Sequence, residues 1–406
     1  MIILNKNGSK GDDDMKLIRR LLAGLLTAAL CVAAAPPRPS ASTQTLPVEI
    51  EAKAAVLMEV STGKVLLKLN ERERLWPASV TKILPMLLVV EAIEAGQIGP
   101  DDPVTVSAEA AGKGGSQIWL KEGEQMTVHE LLKATAVSSA NDACTALGEY
   151  IAGSDAAFVQ RLNERAKQLG MRDTHFENCT GLDDSAQDHK TTAMDVAIMS
   201  RALLQHEGIL DYTTIWMDSL RGGATALVNT NKLVRFYPGA TGLKTGTTAK
   251  AGCCISASAL RDGMHLIAVV LGSPNSNARF DAAKALLNWG FANYTTVAPQ
   301  IDRSLIPDVG VIGGVTDRIT PQLPAPSPLL VEKSRSGKLT QTVDLAVDVH
   351  APVEAGQVLG TVTVTAGDTV LGVYKLTAPA AVEALSFGFV LRRVARRLAQ
   401  LRSAAF

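Results

Sequence analysis

The period of apolar and polar positions changes several times along the chain, and each change marks an element. From Ala54 to Glu71 (AAVLMEVSTGKVLLKLNE) two apolar runs flank Ser61-Thr62-Gly63-Lys64. Turn residues between such runs predict a β-hairpin. From Ser79 to Ala95 the apolar spacing is helical, and Pro85 lies inside it. A proline there removes the hydrogen bond to the Thr81 carbonyl, so a kink or a 3₁₀ first turn is expected. Thr127-Val128-His129-Glu130 has the form of a capping box, opening a helix to about Val137. Ser138 to Asp142 interrupts it, and a second helical run continues to Ile151. Phe158 to Leu169 and Thr192 to His206 repeat the helical period. Asn229 to Gly242 reads as a loop entering a strand. Ala251 to Ala259 and Met264 to Gly272 read as strands paired across Arg261-Asp262-Gly263, and Ala278 to Tyr294 as a closing helix. Strands at both ends with helices between predict an α+β core whose terminal strands share one sheet.

After Tyr294 the texture changes. Short β-type runs (VGVIGGV, LLVEK, VDLAVDV, GQVLGTVTVTAGDTVLGVYKL) are separated by Gly, Pro and Asp, with a proline-rich loop from Pro321 to Pro328. Residues 297–380 therefore predict a small all-β domain without a catalytic signature. The tail, Ala384 to Phe406, has no acidic residue. On a helical wheel Phe387, Val390, Leu391, Val394, Leu398 and Leu401 form one stripe, Arg392, Arg393 and Arg396 lie opposite, and Arg397 and Arg402 flank it. Phe389 falls off the stripe, so the helix is expected to begin after it. One-sided charge favours docking in an anionic membrane interface over packing on its own domain.

Composition adds bounds. With 47% hydrophobic and 20% charged residues in 406, the chain is globular and long enough for two or three domains. Its net charge of zero gives no global basic field for nucleic acid and no acidic excess. At the N-terminus, basic Met15 to Arg20, apolar Leu21 to Ala35 and a small-residue exit through Ser42 read as a cleaved export signal. Met15 reads as the true start, with 1–14 an upstream extension. Leu30 before Cys31 argues against lipidation. Cys144, Cys179, Cys253 and Cys254 match no metal pattern and read as buried free thiols. The six histidines are scattered without ligand spacing, so neither metal nor other cofactor is implied.

Ser-x-x-Lys occurs twice. Ser61–Lys64 sits in the hairpin turn. Ser79–Lys82 opens a helix, where three residues put hydroxyl and amine on one face beside free backbone N–H groups. Serine is also a favoured N-cap, which alone would explain Ser79. Two further motifs follow in order: Ser139-Ala140-Asn141 between two helices, 60 residues on, and Lys244-Thr245-Gly246-Thr247 leading into a strand, 105 residues later. Ser273-Pro274-Asn275 matches the middle motif but stands after the lysine motif.

With these motifs the chain resembles the serine penicillin-binding protein and β-lactamase superfamily, and within it the low-molecular-mass D-alanyl-D-alanine carboxypeptidases. The resemblance rests on WPASVTKI, SSANDA, NCTGLDD, TTAMDVA and GLKTGTTAKAG, covers Val48 to Tyr294, and extends to APVEAGQVLGTVTV and the tail. Pro85 departs from the family pattern. The resemblance implies a β-lactamase/transpeptidase-like α+β domain over 43–296, an antiparallel sheet flanked by helices, then the all-β domain and a membrane-association helix over 384–406. It implies an exported carboxypeptidase at the outer membrane face, acting on peptidoglycan stem peptides and acylated by β-lactams. Ser79 would attack the D-Ala-D-Ala carbonyl, with Lys82 as base, its pKa lowered by burial and by Lys244. Ser139 would relay a proton to the leaving amine, and Asn141 would orient Lys82 and the substrate amide. Ser79 and Thr247 N–H groups would form the oxyanion hole, with Thr245, Gly246 and Thr247 lining the substrate strand. Arg279, 35 residues past Lys244, would meet the terminal carboxylate, a surface arginine being the alternative. A class A β-lactamase would need Glu-x-x-Leu-Asn between the second and third motifs, and FENCTGL (Phe176 to Leu182) lacks it. Fast penicillin turnover would mark that enzyme, and a chain that acylates without releasing D-Ala would be a sensor.

Overall fold

The computed structural model of the chain describes residues 46–325, 327–335 and 339–403. The export-signal reading over 1–42, with Met15 and Cys31, lies outside these residues.

Strands β1 (Ala54–Glu59) and β2 (Val65–Leu69) form the expected antiparallel hairpin. Its turn is closed by the buried Glu59 carboxylate, which accepts the Ser61 and Thr62 N–H groups at 2.9 and 2.8 Å and both hydroxyls. Ser61 is thus a turn residue, and Lys64 is exposed. A 3₁₀ turn, Ala78–Lys82, runs into α1 (Ile83–Glu94). Pro85 falls in the first turn of α1, where N–H groups have no intrahelical acceptor, and the helix is tolerated around it.

Helix α2 (Val128–Val137) is capped as read: the Glu130 N–H donates to Thr127 Oγ1 at 3.1 Å and the Thr127 N–H to Glu130 Oε2 at 3.0 Å. The chain breaks at Ser138–Ala140 and restarts as α3 (Asn141–Ala152), followed by α4 (Asp155–Gln168) and α5 (Ala193–Leu204). The loop after Asn229 holds a short helix, Leu233–Phe236, before β3 (Ala240–Thr248). Strands β4 (Gly252–Arg261) and β5 (Met264–Ser273) turn at Asp262 and Gly263, both at positive φ as a two-residue hairpin requires. Helix α6 (Ser276–Asn293) closes the unit.

The five strands make one antiparallel sheet in the order β2-β1-β5-β4-β3, so the first and last strands of the α+β core do share a sheet. Alternate residues feed two cores. Ala54, Val56, Met58, Val269 and Leu271 face the layer of α1 to α5, while Ala55, Leu57, Ala257, Ala268 and Val270 pack against α6. With both faces covered, the central strands are buried at nearly every position. Strand β3 lies at the edge of the sheet.

Past α6 the described residues are mainly β up to the tail, with short 3₁₀ turns at Arg303–Leu305 and Lys333–Arg335: β6 (Tyr294–Val297), β7 (Val309–Ile312), β8 (Leu329–Glu332), β9 (Leu339–Leu345), β10 (Asp348–His350), β11 (Val358–Ala366) and β12 (Thr369–Thr377). β9, β11 and β12 form a three-stranded antiparallel sheet, β7 pairs with β10, and β6 with β8. Leu330 of β8 enters the core under α6, and Lys333 Nζ donates to the Phe291 carbonyl at 2.7 Å. The final helix, α7 (Phe387–Ser403), begins before Phe389 rather than after it. Ser386 starts it early, its Oγ accepting the Phe389 N–H at 3.2 Å. On α7, Phe387, Val390, Leu391 and Val394 stand exposed.

Candidate active site

The 3₁₀ turn places Ser79 directly after Ala78, which stands at φ +49°. A left-handed alanine costs about 1–2 kcal/mol, so its surroundings must hold it there. Ser79 caps nothing: the turn opens on Pro77 without a side-chain cap. Its hydroxyl instead accepts from Lys82 Nζ at 2.9 Å. Lys82 is fully buried, and its second bond goes to the Thr180 carbonyl at 2.8 Å. Burial lowers its pKa to about 8.

The middle motif lies at the break between α2 and α3. Ser139 is buried at φ +63°. The break is fixed by the Asn141 N–H donating to Ser116 O at 2.7 Å and the Thr230 N–H donating to Val137 O at 3.1 Å. Asn141 Nδ2 donates to Gly114 O at 2.6 Å. No hydrogen bond joins Asn141 to Lys82, so the expected orienting contact is made by Thr180 instead. Asn141 Oδ1 is buried and has no hydrogen-bond partner among the described residues. Next to it, the Asp142 carboxylate accepts the Ile118 and Leu120 N–H groups at 3.1 and 3.0 Å, tying the flanking loop to α3.

The third motif lies on β3. Lys244 is buried, and its Nζ donates to Thr245 O at 2.9 Å. Its pKa is pushed well below the ordinary value by burial, then by the charges of Lys82 and Arg279. Burial is the largest cause at both amines, and the repulsion between them disfavours the doubly charged pair. A Cβ on Gly246 would fall 2.8 Å from both Pro77 O and the Ser79 nitrogen. Only glycine lets the strand approach the Ser79 amide this closely.

Arg279 is 7% exposed, which excludes the surface reading. Its Nη1 donates to Gly246 O at 2.9 Å and to Thr247 Oγ1 at 2.8 Å. The guanidinium thus braces β3 and orients the Thr247 hydroxyl, where a free fork for a carboxylate was expected.

Two residues of the cleft escaped the sequence reading. Thr180 holds Lys82 through its backbone, which no side-chain pattern signals. The signal lay in Asn178, whose Oδ1 gathers the Thr180 and Gly181 N–H groups at 3.1 and 2.7 Å. Thr230 Oγ1 accepts from Thr245 Oγ1 at 2.8 Å. It is held between two buried asparagines, Asn229 and Asn231, that bond the Ile215 and Gly242 carbonyls. Glu177, the acid of FENCTGL, is committed to the Asp188 and Gln187 N–H groups, which hold its carboxyl below the usual range. The four described cysteines are free and buried, and no group of metal-ligating side chains occurs among the described residues.

Known proteins resemble the chain over most of its length. The D-alanyl-D-alanine carboxypeptidase family profile matches residues 40–275, and that of the penicillin-binding protein 5 C-terminal domain matches 304–384. The chain is 39% identical over 360 residues to the D-alanyl-D-alanine carboxypeptidase DacF of Bacillus subtilis, covering 87% of this chain and 92% of that one. It is 34% identical to DacC of Escherichia coli, covering 84% and 87%. Among solved structures, penicillin-binding protein 5 of Haemophilus influenzae superposes with a TM-score of 0.73 at 29% identity, covering 84% of this chain and 99% of that one. The ampicillin-bound penicillin-binding protein D2 of Listeria monocytogenes does so with a TM-score of 0.53 at 30% identity, covering 61% and 100%.

Gly181 stands at φ +86°, and a Cβ there would lie 1.9 Å from Ala78 O, whereas Gly153, at φ +85°, faces open space. Gly181→Ala is expected to lower the unfolding free energy by at least about 2 kcal/mol more than Gly153→Ala, read from urea titrations. Equal losses would show that Ala78 can shift freely.

Proposed function

Since the chain belongs to the D-alanyl-D-alanine carboxypeptidase family, serine-type peptidases, we propose that it removes the terminal D-Ala from peptidoglycan stem pentapeptides through an acyl-enzyme on Ser79. The observation that carries this reading is the buried Lys82 amine, 2.9 Å from the Ser79 hydroxyl. A serine hydroxyl needs a base, and a lysine can serve only when neutral. Lowering the pKa from 10.5 to about 8 raises the neutral fraction at pH 7 by about two orders of magnitude.

In the reactive state the hydrogen bond reverses, with Ser79 O–H donating to the lone pair on Lys82. As Ser79 Oγ bonds to the carbonyl carbon, its proton passes to Lys82. The developing oxyanion is met by the Ser79 and Thr247 N–H groups, each worth about 3 kcal/mol. Ser139 passes a proton to the departing D-Ala nitrogen, with Lys244 tuning it. The unpartnered Asn141 Oδ1 accepts the substrate's amide N–H. Edge strand β3 pairs the peptide in extended form, and the Thr245, Thr247 and Thr230 hydroxyls face its carboxylate. Water then frees the acyl-enzyme. β-Lactams acylate the same serine. In this reading the chain is exported, acts at the outer face of the membrane, and docks there through the exposed apolar stripe of α7.

Incubated with a pentapeptide ending in D-Ala-D-Ala, the protein is expected to release free D-Ala, and Ser79→Ala to release none. Release by the variant would remove Ser79 as nucleophile. Acylation by penicillin is expected to rise with pH and level off above about 8, as Lys82 loses its proton. A flat profile from pH 6 to 9 would remove Lys82 as base. Truncation before Ala384 is expected to abolish co-sedimentation with anionic vesicles, and equal sedimentation of both forms would refute the tail's role.

A further inference from the structure

His189 belongs to none of the three motifs, yet it is fully buried and touches the turn that carries Ser79. Its Nδ1 accepts the Glu177 N–H at 3.0 Å. A ring nitrogen that accepts carries no proton, so the proton of the neutral ring sits on Nε2. Nε2–H donates to Thr81 Oγ1 at 2.9 Å. The Thr81 hydroxyl in turn donates to Ala78 O at 2.8 Å. Burial brings the imidazole's pKa down to about 4, so the neutral tautomer persists across the working range. The three bonds therefore run in one direction, from the Glu177 backbone to the Ala78 carbonyl.

Where the relay ends matters. A peptide unit is planar, so Ala78 C=O and Ser79 N–H lie in one plane and point opposite ways. Fixing the Ala78 oxygen fixes the direction of the Ser79 N–H. Ala78 is at a strained φ of +49° and would relax if released. Gly181, packed on the same oxygen, limits where it can go but supplies no donor to it.

We propose that His189 is a positioning residue that aims the Ser79 backbone N–H at the developing oxyanion by way of Thr81. The inference rests on the reading of Ser79 as nucleophile. It assigns the segment from Glu177 to His189 two tasks: Thr180 O holds the base, and His189 holds the nucleophile's amide.

The test is the second-order acylation constant of the full chain with a fluorescent penicillin, with the adduct located by peptide mass spectrometry. His189→Leu removes the donor and is expected to slow acylation by about tenfold to a hundredfold. His189→Asn, too short to reach Thr81, is expected to show a similar loss, while His189→Gln, which can present an N–H to Thr81, recovers most of the rate. Thr81→Val breaks the next link, and His189→Leu combined with Thr81→Val is expected to be no slower than the slower single variant. A folded His189→Leu within about twofold of the wild-type rate, or multiplicative losses in the double variant, would overturn the relay. Should the leucine variant not fold, wild-type labelling of His189→Asn overturns it equally. Wild-type protein that carries no adduct on Ser79 would refute the nucleophile itself and the relay with it.

Discussion

An amine has been taken out of water and given no carboxylate. This is the constraint on which the rest of the site depends. Removing an ammonium from water costs several kcal/mol unless it is paired, and a group in that position gives up its proton more readily. Lys82 is fully buried, and its two hydrogen bonds go to a hydroxyl and a carbonyl. Lys244, buried beside it, adds a second reason against double protonation. An acidic partner in place of either oxygen would stabilise the pair and leave no base. The large helical layer serves this end: it is thick enough to bury a lysine completely beside an open cleft.

Close approach is the second theme. Ser79 follows a strained alanine, and Ser139 is itself strained, both in left-handed backbone. Gly181 and Gly246 carry no side chain because the Ala78–Ser79 peptide occupies that space. Arg279 braces β3 against this contact through the Gly246 carbonyl. These features together fix a few backbone groups around one hydroxyl, at positions where ordinary side chains would collide.

Much of the fold was legible because period and punctuation are local. The hairpin at Ala54, the capping box at Thr127, the turn at Asp262 and the 3₁₀ turn ahead of Pro85 all follow from neighbouring residues. The three motifs were legible because the chemistry demands particular side chains. What escaped has a common cause. Thr180 acts through its carbonyl, and Thr230 through a loop pinned by two asparagines that bond distant backbone. The inward turn of the Arg279 guanidinium and the bond of the Asn141 amide to Gly114 depend on partners far along the chain. The start of α7 moved because Ser386 caps it. Backbone acceptors and long-range burial leave no mark on a linear pattern.

The junction between the two folded parts has a mechanical meaning. Strand β6 leaves α6 with no linker and pairs with β8, Leu330 sinks into the core beneath α6, and Lys333 bonds the last turn of that helix. Separate domains ordinarily swing about flexible connectors. Here a shared ribbon joins them, and bending it would break a ladder and open a core. The β-rich part is therefore a stiff strut. A displacement of the β-rich part is thereby transmitted to α6 and to the face of the sheet that α6 covers.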